Sequence, residues 1–295
     1  MNKIYFAILL KSLAVFFIVS MDVLIKKLSV NFPTFQIVFF RCLFGLIPVI
    51  IMLILTKSKL KTNKINTHII RAIIATIVMF CFFKSVSLLP LADVSSISFA
   101  SIMITTILAI IILKEKVGLK RWLAIIVGFI GVIIIFRPGT SIFSYYSFLP
   151  LIAALGLSFA IILLKQLLNF DKPPTCSFYL HFFVALFILP TFYFGWKIPN
   201  SSEWYLIILM GLFGGTAQIL STNAYKISNV SILIPFDYSA IIWAITFGII
   251  FFDDHPDKYV IIGSIVIVIS TYYIIYRERK SGQNINSLKI SSRQI

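Results

Sequence analysis

This sequence predicts an all-α integral membrane protein of ten transmembrane helices, arranged as two inverted repeats of five. Three observations carry that prediction. First, the 295 residues are 60% hydrophobic and only 12% charged, against roughly 25% charged residues in a soluble domain, and the mean hydropathy is +1.02. Second, the apolar residues gather into ten stretches, most of them close to the roughly 20 residues that a helix needs to cross a bilayer. Long continuous runs suit helices, because membrane β-strands are short and alternate apolar with polar residues. Third, the second five stretches are a faint copy of the first five. An offset of 139 residues brings Lys26 onto Lys165, Phe99 onto Tyr238 and Glu115 onto Asp254. Five is odd, so the two halves enter the membrane from opposite sides.

Taken in order, the spans fall near 4–25, 35–55, 69–89, 93–113, 121–136, 147–168, 176–196, 203–224, 229–251 and 257–276. Pro33, Pro90, Pro138, Pro173, Pro174, Pro199 and Pro256 lie in or near the links, where helix breaks belong. The first span carries Lys11 and lacks a small-x-small cleavage site, so it reads as a membrane helix and not as a removable signal peptide. Repeat 1 covers 4–137, repeat 2 covers 147–276, and 277–295 is a polar tail.

The links set the expected orientation. With the N-terminus cytoplasmic, and with Arg71 and Arg121 at the inner edges of their spans counted with the links, 17 of the Lys and Arg residues fall inside and 5 outside, leaving Lys11, Arg41, Lys84 and Lys165 within spans. That skew follows the positive-inside rule and places both ends in the cytoplasm, which demands an even number of spans. The same distribution answers the formal net charge of +16. The basic residues lie in short links and form no soluble basic face, so no nucleic-acid partner is expected. The partners expected are the lipid bilayer and a small-molecule metabolite. Oligomeric state leaves no mark in the pattern.

Cys42, Cys81 and Cys176 lie inside apolar spans without CxxC spacing or a nearby His in sequence, and read as small core residues. No cofactor or metal is expected. The link Asp253-Asp254-His255-Pro256-Asp257 is too short and too isolated to be read as a metal site. HExxH, GxSxG and His-box motifs are missing from the sequence, so an enzyme is not expected. Inverted repeats are the usual construction of secondary transporters, with the solute site near midplane between the halves.

Charges inside spans cost roughly 2.5–3.5 kcal/mol each at a helix centre, so those present turn inward and mark candidate sites. Lys11, Asp22, Arg41, Lys84 and Asp237 are such groups. Asp237 shares a helical face with Ala240, Ala244 and Gly248, and small residues on one face allow close helix approach. An inward carboxylate beside Tyr238, with Trp243 further on, suits a cationic or ring-bearing solute. The alternative is an internal ion pair of Asp237 with Lys11 or Lys84. Arg41 reads as a two-point clamp for a carboxylate or phosphate, or as a partner for Asp22. Lys165 reads as reaching to the inner surface. His181 lies roughly opposite Arg41 in the repeat. Ser98, Ser101 and Thr105 share one face of span 4 and either line a wet path or bond to helix carbonyls. Gln218 and Asn223 of span 8 are further candidate solute contacts.

The stretch from Phe83 through Leu88, Ala92, span 4, Lys114-Glu115-Lys116, Gly128 and Gly131 resembles one repeat of the EamA family, in the drug/metabolite transporter superfamily. Arg41 in the second helix and Glu115 ending the fourth match its loose pattern. In the second half Asp254 stands where Glu is usual, and a His region replaces the Arg. The resemblance covers roughly residues 4–276 and implies ten helices in two inverted halves. Within the family, the sequence resembles the carriers that import S-adenosylmethionine into obligate intracellular bacteria. That resemblance implies an inner-membrane importer, with exchange for S-adenosylhomocysteine as a plausible mode. It also implies that Asp237 or Asp22 meets the solute's cations, Arg41 or Lys84 its carboxylate, and Phe99, Tyr238 or Trp243 its ring. Export or import of another metabolite, such as an amino acid, is the alternative.

Overall fold

The computed structural model describes residues 3–113, 119–136, 145–266, 268–270 and 272–273. The Lys114-Glu115-Lys116 link and the tail 277–295 lie outside the described residues. Among those described, six helices are long and apolar enough to cross a membrane, and four shorter apolar helical stretches accompany them. Three long helices open the chain: α1 (Lys3–Leu28), α2 (Thr34–Leu55) and α3 (Ile65–Leu88). Span 4 is two pieces, α4 (Leu91–Ser98) and α5 (Ala100–Leu113), and α6 (Leu119–Phe136) closes the first half.

The second half repeats this order. It holds α7 (Phe148–Leu167), α8 (Pro173–Ile188) and α9 (Ser201–Ile227), followed by span 9 in pieces. These are α10 (Val230–Leu233), a 3-10 stretch from Ile234 to Ser239, and α11 (Ala240–Phe252). A last helix runs over 258–266. Each expected span is thus helical over its described residues, but span 7 continues from Ile188 as a 3-10 stretch, Leu189–Phe194, and spans 4 and 9 are broken within. The break in span 9 follows from Pro235, which supplies no N–H and disfavours helical geometry before it. The break in span 4 has no proline. There the Ser96 hydroxyl donates back to the Ala92 carbonyl at 2.6 Å, and Phe99 N–H donates to the Ser96 carbonyl at 3.2 Å, which tightens the turn. The two breaks sit at repeat-equivalent places, Phe99 and Tyr238. Asp237 therefore lies in a 3-10 turn, and the α-helical face drawn through it begins only at Ala240.

The halves interlock. α1 packs most extensively on α9, α2 on α9 and α8, and α3 on α7 and α8. In lipid this cannot come from the hydrophobic effect alone, since the tails are as apolar as leucine, so close approach of small residues matters. Gly45 of α2 meets Gly211 and Gly215 of α9. A Cβ on Gly215 would come within 2.6 Å of Pro48 Cγ and 2.8 Å of Gly45 Cα. α9 starts with a capping box: Asn200 Oδ1 accepts from Glu203 N–H at 2.9 Å, and Glu203 Oε2 accepts from Asn200 N–H at 2.9 Å. Asn200→Ala is expected to cost about 1 kcal/mol, read as a lowered melting temperature of the detergent-solubilised protein.

Residues related by the repeat meet one another. The Phe99 and Tyr238 rings touch edge-on, with centroids 4.8 Å apart. Arg41 Nη1 lies 3.4 Å from Nε2 of His181, one position beyond its repeat mate. Contacts between equivalent positions occur where a pseudo-two-fold axis passes. Lys26 and Lys165 have diverged: Lys26 forms an ion pair with Asp254, and Lys165 donates to the Tyr225 and Ser228 carbonyls at 2.6 and 2.8 Å, at the end of α9.

Candidate functional site

A cavity of about 250 Å³ lies between the halves, near the small end of the roughly 300–1,000 Å³ usual for ligand pockets. α1 contributes Lys11, Val15, Ile18, Val19 and Asp22, and α3 contributes Arg71, Ala75, Val78, Met79 and Phe82. Both sets follow the spacing of one helix face. The broken span 4 adds Ser95, Ser98, Phe99, Ser101, Ile102 and Thr105. The second half closes the cavity with Leu157, Ala160, Ile161 and Leu164 of α7, Leu180 of α8, Gln218, Ser221 and Tyr225 of α9, and Asp237 and Ala240 of span 9. The wall is mostly apolar, with polar groups at chosen points.

Lys11 and Asp237 form an ion pair at 2.7 Å. Lys11 Nζ also donates to Tyr225 Oη at 3.0 Å and lies 4.9 Å from that ring's centroid. These contacts offset the cost of placing both charges in the bundle. Asp22 is different. It is 4% exposed, forms no ion pair or hydrogen bond among the described residues, and its Oδ1 is buried without a partner. Ser98 Oγ and Thr105 Oγ1 are likewise buried without partners, so these two hydroxyls do not back-bond to helix carbonyls.

Of the ten residues singled out in the sequence, Lys11, Asp22, Phe99, Gln218 and Asp237 line the cavity. The other five are placed elsewhere. Arg41 is buried with Nη1 3.8 Å from both Cys42 Sγ and Met79 Sδ, and its Nε, which faces Gly214, has no acceptor; its charge acts on Asp22 without forming an ion pair with it. Lys84 is half-buried and off the wall, and forms no ion pair with Asp237. Asn223 donates to the Ile219 carbonyl at 2.8 Å, one turn back in its own helix. Trp243 packs edge-on against Phe16 at 5.0 Å. Tyr238 is off the wall and touches the wall residue Phe99 edge-on. Sequence reading missed Arg71, which it counted among the link charges, and Tyr225.

Two further clusters lie away from the cavity wall. Asp257 caps the last helix through the N–H groups of Tyr259 and Val260, and Asp254 is taken by Lys26, so the acidic link is divided among separate contacts. Cys176 has His68 and Asp171 beside it in space, a proximity that sequence distance hid. His68 Nε2 lies 2.9 Å from Asp171 Oδ2, and Thr62 Oγ1 donates to the same oxygen at 2.8 Å, which ties the start of α3 to the α7–α8 link.

A family model described as the EamA-like transporter family matches residues 5–137 and again 144–276. The chain belongs to that family. It is thus a multi-pass membrane transporter and not an enzyme. Membership accounts for the doubled architecture, with one family unit per half. The chain is 27% identical to the S-adenosylmethionine uptake transporter of Rickettsia prowazekii, over 88% of this chain and 89% of the relative. It is 28% identical to the riboflavin transporter of Vibrio cholerae, over 77% of each chain. It is 24% identical to the pseudopaline exporter CntI of Pseudomonas aeruginosa, over 89% of this chain and 93% of the relative. A solved crystal structure matches with a TM-score of 0.70 at 16% identity, covering 93% of this chain and 98% of that one, and shares the fold.

Proposed function

We propose that this EamA transporter imports S-adenosylmethionine across the bacterial inner membrane by alternating access of its two halves, in exchange for S-adenosylhomocysteine. The observation that carries the reading is the mixed wall of the cavity. An unpaired carboxylate (Asp22), a paired one (Asp237) and an aromatic ring (Phe99) suit a solute with cationic centres and a flat ring. The likeness to S-adenosylmethionine uptake transporters over most of the chain supports the same solute. Both termini lie in the cytoplasm in this reading, residues 4–137 and 147–276 are the exchanging units, and 277–295 is a cytoplasmic tail near anionic lipid.

Labelled S-adenosylmethionine is expected to accumulate in cells that express the protein and not in cells with the empty vector. Preloading with S-adenosylhomocysteine is expected to speed entry, as exchange requires. Absence of uptake with verified membrane expression removes the substrate assignment. The riboflavin and pseudopaline relatives make a second solute class worth testing in the same assay. Riboflavin or an amino acid that displaces the label better than S-adenosylmethionine itself redirects the assignment.

A further inference from the structure

The cavity leaves one cationic wall residue without a carboxylate among the described residues. Lys11 is neutralised by Asp237, and Arg41 and Lys84 lie off the wall. Arg71, on α3, is 4% exposed and reaches the cavity. Its Nη1 donates to the Cys176 carbonyl at 3.1 Å. Its Nε is buried without an acceptor, and the bond from Nη1 is the one hydrogen bond of this side chain among the described residues. A guanidinium offers five donors in a planar fork that matches a carboxylate. Buried polar groups are nearly always paired, so an unpaired one beside a cavity calls for a partner.

The position fits an end-anchor. α1 and α3 run the same way across the bilayer, with α2 returning between them, and their wall residues keep step. Lys11 and Arg71 therefore belong to one end of the cavity, and Asp22 and Phe82 to the other. Eleven residues separate Lys11 from Asp22 on α1, about 16 Å of helix. Arg71 and Asp22, neither of them in an ion pair among the described residues, thus stand at opposite ends of an elongated, mostly apolar space, with Arg41 the cation whose field reaches Asp22.

We propose that Arg71 binds the carboxylate of the transported solute, and that Asp22 receives an N–H-bearing group at the solute's far end. The solute class is an elongated amino acid derivative with a hydrogen-bond donor or cation remote from its carboxylate. This deepens the transport reading above and rests on it only for the choice of cavity.

The test is binding to the purified full-length protein, read as ligand-induced thermal stabilisation, with matched pairs that differ only in the carboxylate. Suitable pairs are S-adenosylmethionine with its decarboxylated form, and arginine with agmatine. In the wild type the carboxylate-bearing member of a pair is expected to bind about tenfold tighter or more. In Arg71→Gln that preference disappears, and Arg71→Lys, which keeps the charge and loses the fork, retains part of it. Equal binding within each pair by the wild type overturns the proposal, as does full preference in a folded Arg71→Gln protein or no response to any of these solutes. Preference for arginine without binding of S-adenosylmethionine sinks the substrate assignment and leaves the anchor standing. Uptake of S-adenosylmethionine with preference intact in both Arg71 variants does the reverse.

Discussion

Asp237→Asn is expected to lower stability by about 3 kcal/mol and uptake by about tenfold or more, because it leaves the buried Lys11 ammonium with neutral acceptors in place of a carboxylate. Removing one partner of a buried pair is far costlier than removing both. Lys11→Met combined with Asp237→Leu is therefore expected to restore much of the melting temperature. If the pair also serves transport, this double variant folds and does not transport. A double variant that carries solute at the wild-type rate shows that the pair only holds the bundle together. Asp254→Asn is the natural comparison. Its partner Lys26 lies at the edge of the bundle, also 4.7 Å from the Phe252 ring centroid, and such a pair contributes about 1 kcal/mol or less. With expression equalised, Asp254→Asn is expected to transport better than Asp237→Asn.

The second large effect belongs to the crossing of α2 and α9. Gly215→Val would push a branched side chain into the backbone of Gly45 and the ring of Pro48. Backbone cannot turn aside as a flexible side chain can, so the helices must separate, at a cost of about 3 kcal/mol. Little monodisperse protein is expected after detergent extraction. Gly248→Ala is the control: an added Cβ there would meet Asp254 Cβ at an ordinary 3.5 Å, and melting is expected to stay near that of the wild type. Equal yields of Gly215→Val and wild type would contradict this account of how the halves are joined.

Much of the architecture was legible because lipid is an unforgiving solvent. Ten apolar runs had to be helices, and a charge within such a run, as at Lys11 or Asp22, stands out against its surroundings. Ser98 and Thr105 were visible on one face for the same reason. Arg71 was hidden because it follows a lysine-rich link near the start of α3. In linear sequence it looks like one more topology signal, and only the arrival of Cys176 from α8 marks it as buried. The choice of Lys11 over Lys84 as the partner of Asp237 depends on how α1 lies against span 9, which no local pattern records. The break in span 4 carries no proline, and the Ser96 hydroxyl bond to its own helix that accompanies it is a choice open to every serine there. Pro235 made the matching break in span 9 more accessible to reading, although the span was taken as continuous. The five candidates off the wall failed to gather because a polar or aromatic group inside a span need not face a solute: Arg41 turns toward His181, Cys42 and Met79, Asn223 bonds within its own helix, and Trp243 packs on Phe16.

The meeting of repeat mates along the axis bears on the energies of a transport cycle. Two chemically identical halves that exchanged shapes would give two end states of equal free energy, and the empty carrier would divide its time evenly between them. Here the axis carries a phenylalanine against its mate, a tyrosine, and an arginine against a histidine one position past its mate. Such inequalities lift the degeneracy. On the proposed mechanism the unloaded protein rests mainly in one state, and a solute reverses that bias only by as much as it binds the other state better.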